Sequence, residues 1–399
     1  MIMDSTFFDK HLERRGTGAF KWEAHKNPGP YYTPVPEEDV VPMWIADMDF
    51  ETAPSIVERM MERVKHPAYG YYLPSAEYFD AIANWHATRY GNPMVKREYI
   101  LNHTSVLAGV GAAVEAFTLP GENILINQTT YTGFQSTVKN LGRNLVYSPL
   151  VKDENGVWRM NFEEMEKLIV ANKISLMIFC SPHNPTGRVW EKWEIENVVN
   201  LCGKLGVKIV SDEIWADFVV DPTCKHIPTQ SVSDLAKEIV TANYAPSKTF
   251  NLAGLQGSYS VTYNKQMRDK IDKIGSTTHS NAVSLLTLEA CIGAYTGGAE
   301  YVDEMLKYVR KNQELMVDYF NTCEGVSVDL PQGTYVLWVN FDGLCDDVGV
   351  IRDKLREVGV ITTDGRGFHG KTYLRFNCAC PRANCEKAIK AMKKVFKSK

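Results

Sequence analysis

Lys248 sits where a lysine can become a nucleophile. It follows Glu238-Ile-Val-Thr-Ala242, a short β-branched apolar run that reads as a buried strand. It precedes Asn251-Leu-Ala-Gly254, a turn-like stretch of small residues. Poor hydration at the mouth of a strand disfavours the ammonium form, so a fraction of the side chain is free amine. A free amine can condense with an aldehyde. A surface lysine in a loop is the plain alternative, and the company Lys248 keeps argues against it. Tyr131, Asn184 and Asp212 also stand at or just past the ends of strand-like runs. In parallel sheets, ligands bind beyond the carboxyl ends of the strands. Four coincidences of position are harder to dismiss than one lysine.

The elements that must position these residues alternate along the chain. Glu122–Asn127, Lys173–Cys180, Gly206–Ser211 and residues 238–242 read as strands, with helices expected over Tyr131–Leu141 and Glu191–Leu205. Apolar strands separated by helices indicate an α/β fold, a mostly parallel sheet with helices on both faces. Upstream, Glu77–Tyr90 reads as a helix, and Ser105-Val-Leu-Ala-Gly109 opens another. A helix start preceded by a hydroxyl is a natural anion site, and equally a plain serine cap. After about residue 285 the texture changes. A long amphipathic helix is expected over Tyr301–Phe320, strands over Thr334–Asn340 and Lys371–Asn377, and a closing helix over Pro381–Phe396. The expected domains are an arm over residues 1–45 that joins the small domain, a large domain over 46–285, and a small α+β domain over 286–399. Met43-Trp-Ile-Ala-Asp-Met-Asp-Phe50 reads as a strand with a polar edge, and its pattern assigns no chemistry to Asp47 or Asp49.

Composition bounds the function from outside. The 399 residues are 44% hydrophobic and 23% charged, with a net charge of −4. No basic block stands out, so nucleic acid is not an expected partner. No apolar run approaches the length that spans a bilayer, and the polar start after Met-Ile-Met-Asp-Ser is no signal peptide. The nine cysteines lack a Cys-x-x-Cys pair, which suits free thiols in a reducing, cytoplasmic compartment.

Gly365-Arg-Gly-Phe-His-Gly-Lys-Thr372 matches two nucleotide-binding patterns at once. Both need a helix immediately afterwards to present N–H groups to phosphate. The residues that follow, Tyr373-Leu-Arg-Phe-Asn377, read as a strand. A flexible glycine loop is the better reading.

Taken together, several segments carry a resemblance over nearly the whole chain. They are Lys21-Trp22, Trp44–Phe50, Ser181-Pro-His-Asn-Pro-Thr-Gly-Arg-Val-Trp190, Ser211-Asp-Glu-Ile214, Ala245-Pro-Ser-Lys-Thr-Phe-Asn-Leu-Ala-Gly254, Gly333-Thr-Tyr-Val-Leu-Trp338 and Arg375-Phe-Asn-Cys-Ala-Cys-Pro-Arg382. The chain resembles the fold-type-I pyridoxal-phosphate (PLP) enzymes of the aminotransferase class I/II superfamily. More narrowly it resembles their cystathionine β-lyase or C–S lyase branch, often called MalY/PatB. The resemblance implies pyridoxal 5'-phosphate as cofactor and a role for each residue. Lys248 would carry the cofactor and then remove the substrate α-proton. Asp212 would pair with the pyridine N–H, Asn184 would bond the ring phenolate oxygen, and Tyr131 would stack on the ring. Ser105, the N–H groups of Val106 and Leu107, and Ser247 would hold the phosphate. Tyr71 would reach the phosphate of a neighbouring subunit, making a homodimer part of the site. Arg375 would clamp the carboxylate of a small amino-acid substrate.

Two departures stand out. Position 215 is Trp, where aminotransferases usually carry Tyr and this branch often His; an indole N–H donates one hydrogen bond but neither accepts nor titrates. The loop from Thr362 to Lys371 also differs from the usual glycine-rich lead into the arginine strand. The implied reaction is β-elimination from cystathionine or related cysteine S-conjugates, giving pyruvate, ammonia and a thiol. The same residues would serve an aminotransferase of this fold. A PLP-binding regulatory protein is a third reading.

Overall fold

Five parallel strands form the centre of the larger of two units in the structure, a computed structural model that describes residues 5–399. The chain divides into two compact units. The larger holds Thr52–Asn184 and Arg188–Val302; the smaller holds the described residues up to Glu51, Pro185–Gly187 and Asp303–Lys399. Sequence texture placed the boundaries at 45 and 285, whereas the units divide after Glu51 and after Val302. The texture change at 285 marks the start of a helix, Leu285–Gly297, that packs within the larger unit.

The larger unit is built on eight strands: β1 (Ile100–His103), β2 (Asn123–Gln128), β3 (Asn144–Lys152), β4 (Trp158–Met160), β5 (Leu176–Cys180), β6 (Lys208–Asp212), β7 (Val240–Tyr244) and β8 (Ser258–Thr262). They form one sheet in the order β1-β8-β7-β6-β5-β2-β3-β4. The five strands from β7 to β3 run parallel, and β1, β4 and β8 pair antiparallel with their neighbours.

Alternate residues of the parallel strands feed two separate cores, as a sheet buried on both faces requires. Leu125, Met177, Phe179 and Ile209 pack with Met165 and Ile169 of the helix Phe162–Asn172 and with Ile195, Val198 and Val199 of the helix Lys192–Lys204. Ile124, Ile126, Ile178 and Val210 face the other way. They meet Val106, Val110 and Val114 of the helix Val106–Phe117 and Phe134 and Val138 of the helix Thr132–Asn140. A strand was expected over 238–242. It lies two residues later, because Asp234–Ile239 forms a short helix capped by Ser233.

The smaller unit sets a three-stranded antiparallel sheet, Val336–Asn340, Tyr373–Asn377 and Thr363–Asp364 with Tyr373–Asn377 in the middle, against the helices Gly349–Glu357 and Arg382–Met392. Its core joins Leu337, Val339, Leu374 and Phe376 to Met316, Phe320, Leu355 and Met392. A two-residue parallel pair, Val41–Pro42 with Val360–Ile361, ties the beginning of the chain into this unit. The residues after Gly365 form a single 3-10 turn and then the strand Tyr373–Asn377, so no helix follows the glycine loop.

Candidate active site

Four neighbouring parallel strands end on one edge of the larger sheet, and the sequence-nominated residues gather there. Register alone aligns them: Cys180 pairs with Asp212, and Asp212 with Asn243. Asp212 closes β6. Lys248 lies four residues past β7 in the short helix Pro246–Thr249, Asn184 four past β5, and Tyr131 three past β2. Short turns cross-tie the strand ends, the Ser181 N–H donating to the Asp212 carbonyl at 3.0 Å and the Glu213 N–H to the Asn243 carbonyl at 2.9 Å.

The electrostatics of this edge centre on Asp212. Its side chain is buried and accepts the Ile214 N–H at 3.0 Å. Burial pushes its carboxyl up to about 7, against the opposing pull of that N–H and of the Lys248 charge. The Lys248 ammonium nitrogen lies 6.0 Å from the centroid of the buried Trp215 ring, within cation–π range. Asn184 is buried, and its backbone N–H reaches the Cys180 thiol. Tyr131 caps the helix Thr132–Asn140, its ring edge-on to Phe134 at 5.4 Å. Gly133 makes room for that ring, which any Cβ at 133 would strike.

Ser105 is the N-cap of the helix Val106–Phe117, its Oγ accepting the Ala108 N–H at 3.1 Å. The hydroxyl therefore does the capping. The first N–H groups of a helix have no carbonyl partner within it, and here they belong to Val106 and Leu107. Ser247 is half-buried beside Lys248, its carbonyl accepting the Leu252 N–H at 2.9 Å. Tyr71 stands fully exposed on a loop with Tyr69 and Leu73, bordering a concavity of about 520 Å³ that Asn281 and Val283 also line.

Arg375 belongs to the smaller unit. It is buried on the central strand, with its guanidinium carbon 4.8 Å from the Phe368 ring centroid and one nitrogen 3.5 Å from the Thr363 hydroxyl. Among the described residues no cluster of His, Cys, Asp or Glu is arranged to hold a metal ion.

Sequence reasoning missed the supports behind the edge. Glu213 is fully buried and takes hydrogen bonds from His226 Nε2 (2.9 Å), the Thr229 N–H (2.9 Å), Ser211 (3.0 Å) and the Tyr244 hydroxyl. Burial pushes its carboxyl up, but His226 and these donors outweigh it and hold Glu213 below the usual range. Asp217 accepts from Thr249 (2.7 Å), Tyr90 (2.9 Å) and Trp85 (3.1 Å), so the residue after Lys248 is anchored to the turn that carries Trp215. Two adjacent acids at 212 and 213 were the available signal, but nothing local shows that they face different partners.

The family described as Aminotransferase class I and II matches residues 38–392. The chain belongs to this family. It is 32% identical over 390 residues to the cystathionine β-lyase PatB of Bacillus subtilis, covering 97% of this chain and 98% of that one. Cystalysin from Treponema denticola, solved with pyridoxal 5'-phosphate, superposes with a TM-score of 0.92 at 28% identity, covering 99% and 98% of the two chains. A PLP-bound putative aminotransferase from Clostridium difficile gives 0.88 at 33% identity, covering 97% and 98%. The family has fold-type-I architecture, in agreement with the mostly parallel sheet and the smaller α+β unit.

Proposed function

We propose that the chain is a PLP-dependent carbon–sulfur β-lyase acting on L-cystathionine or related cysteine S-conjugates, with pyruvate, ammonia and a thiol as products. The placement of Lys248 and the buried Asp212 at the ends of adjacent parallel strands, where the charge of one acts on the other, carries the PLP chemistry, and the likeness to the cystathionine β-lyase PatB favours β-elimination. The donor set suits the cofactor. A buried carboxyl pushed to about 7 is stabilised as an anion by a protonated ring nitrogen. The ring of Tyr131, seated over Gly133, offers a flat face. The start of the 12-residue helix Val106–Phe117 suits a phosphate.

When bound, PLP supplies an electron sink for the carbanion left by loss of the α-proton. The protein's residues do the rest. Lys248 accepts the α-proton at its amine nitrogen. Asp212 keeps a proton on the ring nitrogen by staying ionised beside it. Asn184 and the Trp215 indole donate toward the ring oxygen, and Tyr131 fixes the ring plane. Ser105, Ser247 and the N–H groups of Val106 and Leu107 orient the phosphate. Arg375 holds the substrate carboxylate with a planar guanidinium stacked on Phe368.

The exposed Tyr69–Leu73 loop supports a homodimer in which Tyr71 serves the neighbouring copy's phosphate, since a fully exposed aromatic in such a stretch marks an interaction surface. Nine free thiols, seven of them buried, support a reducing, cytoplasmic setting. No helix among the described residues is long and apolar enough to cross a membrane.

Transamination is the second reading, favoured by the likeness to the putative aminotransferase. Incubation with L-cystathionine, with and without 2-oxoglutarate, separates the two. Pyruvate and free thiol without the oxo acid are expected. Glutamate formed only with the oxo acid would overturn the lyase reading, and unimpaired turnover by Lys248→Ala would overturn both.

A further inference from the structure

The smaller unit contains a buried charge cage whose purpose neither the fold nor the assigned residues explain. Lys21 is fully buried, and its ammonium lies 2.7 Å from Asp49 Oδ2. Asp49 also accepts from Trp22 Nε1 at 2.9 Å and from Arg14 at 3.0 Å. Arg14 grips Asp47 through two nitrogens, at 3.1 and 2.9 Å, and donates to the Met48 carbonyl at 2.8 Å. Two cations, two carboxylates and an indole thus converge on one short segment. A buried ion pair is seldom the most stabilising way to fill a core, since apolar residues of similar volume do as well or better. What such a pair provides is one fixed geometry.

That geometry bears on Arg375. Asn377 lies two residues beyond it, on the same face of the strand Tyr373–Asn377. The Asn377 side-chain amide donates to the Ile45 carbonyl at 2.8 Å and to the Asp47 carbonyl at 2.7 Å. The same Asp47 carbonyl accepts from Lys21 Nζ at 2.9 Å. One carbonyl oxygen therefore joins the cage to the strand that carries Arg375. Two bonds flank this junction, from the Asn377 N–H to the Met43 carbonyl just before the segment at 2.8 Å and from the Asp49 N–H to the Ala379 carbonyl just after the strand at 3.0 Å.

The segment so held is strained. Ile45 has φ +42°, a left-handed conformation that a β-branched residue rarely adopts. Such strain persists only where the surroundings over-determine it, and it gathers at ligand clamps. Trp44 next to it stacks on Tyr31 at 3.7 Å. Tyr31 is close enough to Arg375 that, while burial pushes its phenol up, the guanidinium partly offsets the rise.

We infer that the segment Trp44–Asp49, locked by Lys21, Asp49 and Arg14 and joined to the Arg375 strand through Asn377, is the fixed wall of the pocket that receives the amino-acid carboxylate, and that Lys21 and Asn377 are positioning residues for that carboxylate. The inference rests on the assignment of Arg375 to the substrate carboxylate. Lys21 acts at a distance from the substrate. It holds the backbone against which Arg375 presents its donors.

The test compares two ligands of the PLP-loaded enzyme that cannot lose a thiol: L-alanine, and ethylamine, which is alanine without its carboxylate. Their affinities are read from the absorbance change of the bound cofactor. Lys21→Met is expected to weaken L-alanine about tenfold, the scale of one lost hydrogen bond, and to leave ethylamine within about twofold. Asn377→Ala cuts the shared carbonyl while leaving the cage charges paired, and it is expected to show the same selective loss. It decides the matter if Lys21→Met fails to fold. Equal weakening of both ligands by these variants, or no weakening, would overturn the inference by reducing the cage to a structural role. Arg375→Ala is run beside them and is expected to weaken L-alanine alone, by about a hundredfold. If Arg375→Ala is selective and the cage variants are not, only the present inference fails. If Arg375→Ala is not selective, the carboxylate assignment falls and takes the inference with it.

Discussion

Asp212 offers a quantitative check on the electrostatics of the strand edge. Its carboxyl sits near pH 7 in the folded chain against 3.8 as the ordinary value, chiefly because burial penalises the anion. A folded value above the unfolded one means that the folded state binds the proton more tightly. The cofactor-free protein therefore carries no penalty from this group below about pH 4, a growing penalty between about 4 and 7, and the full penalty above that. Three pKa units at about 1.36 kcal/mol each give roughly 4 kcal/mol in total. Between pH 5 and pH 8 the change is about 2.5 kcal/mol, since part of the penalty has already accrued by pH 5. Asp212→Asn keeps the shape and cannot titrate. At roughly 2 °C per kcal/mol for a unit of this size, the melting temperature of cofactor-free Asp212→Asn should gain about 5 °C on wild type between pH 5 and pH 8. Scanning calorimetry of both proteins across that range measures it. Loading wild type with PLP should flatten its own pH dependence, because a ring cation beside Asp212 keeps the carboxylate ionised. A melting difference that does not change with pH, or that moves in wild type's favour as pH rises, would refute the reasoning.

Two further outcomes follow from the packing behind the site. A Cβ on Gly109 would collide with the buried Asn243 side chain and come within 2.9 Å of His103, so Gly109→Ala should cost about 1–3 kcal/mol, read as a lower urea midpoint. Asp217→Ala strips the acceptor from Thr249, Tyr90 and Trp85 together. It should cost about 3–5 kcal/mol, and retention of the wild-type melting temperature would show that the network is dispensable.

The parallel centre of the larger sheet is legible because its strands, buried on both faces, carry apolar runs such as Leu176–Cys180 and Ile209-Val210. The edges are not. Ile100–His103 and Ser258–Thr262 mix Asn, Ser, Thr and Tyr among their apolar residues and pair antiparallel. Asn144–Lys152 is likewise mixed, and its outer neighbour Trp158–Met160 pairs antiparallel with it. Lys248, Asp212, Asn184 and Tyr131 could be found because each follows a strand whose end is visible locally. Met43–Phe50 misled for the opposite reason. Its pattern reads as a strand with a polar edge, yet among the described residues the strand here is Val41–Pro42 alone, and the acids at 47 and 49 are satisfied by Arg14, Lys21 and Trp22 from far upstream. No local pattern records a partner 26 to 35 residues away. Glu213 escaped notice likewise, since His226 and Tyr244 reach it only after the turn and the next strand are in place.

The smaller unit draws on both halves of the chain, with Val41–Pro42 paired to Val360–Ile361. This makes its assembly a late event in synthesis. The larger unit, nearly continuous from Thr52 to Val302, is complete on the ribosome while the strand partners of the first fifty residues are still unmade. Until residues near 360 emerge, Val41, Met43 and Trp44, all buried in the finished protein, have no core to enter. Nascent chains stalled after residue 302 should therefore be the ones that chaperones hold at their N-terminal end.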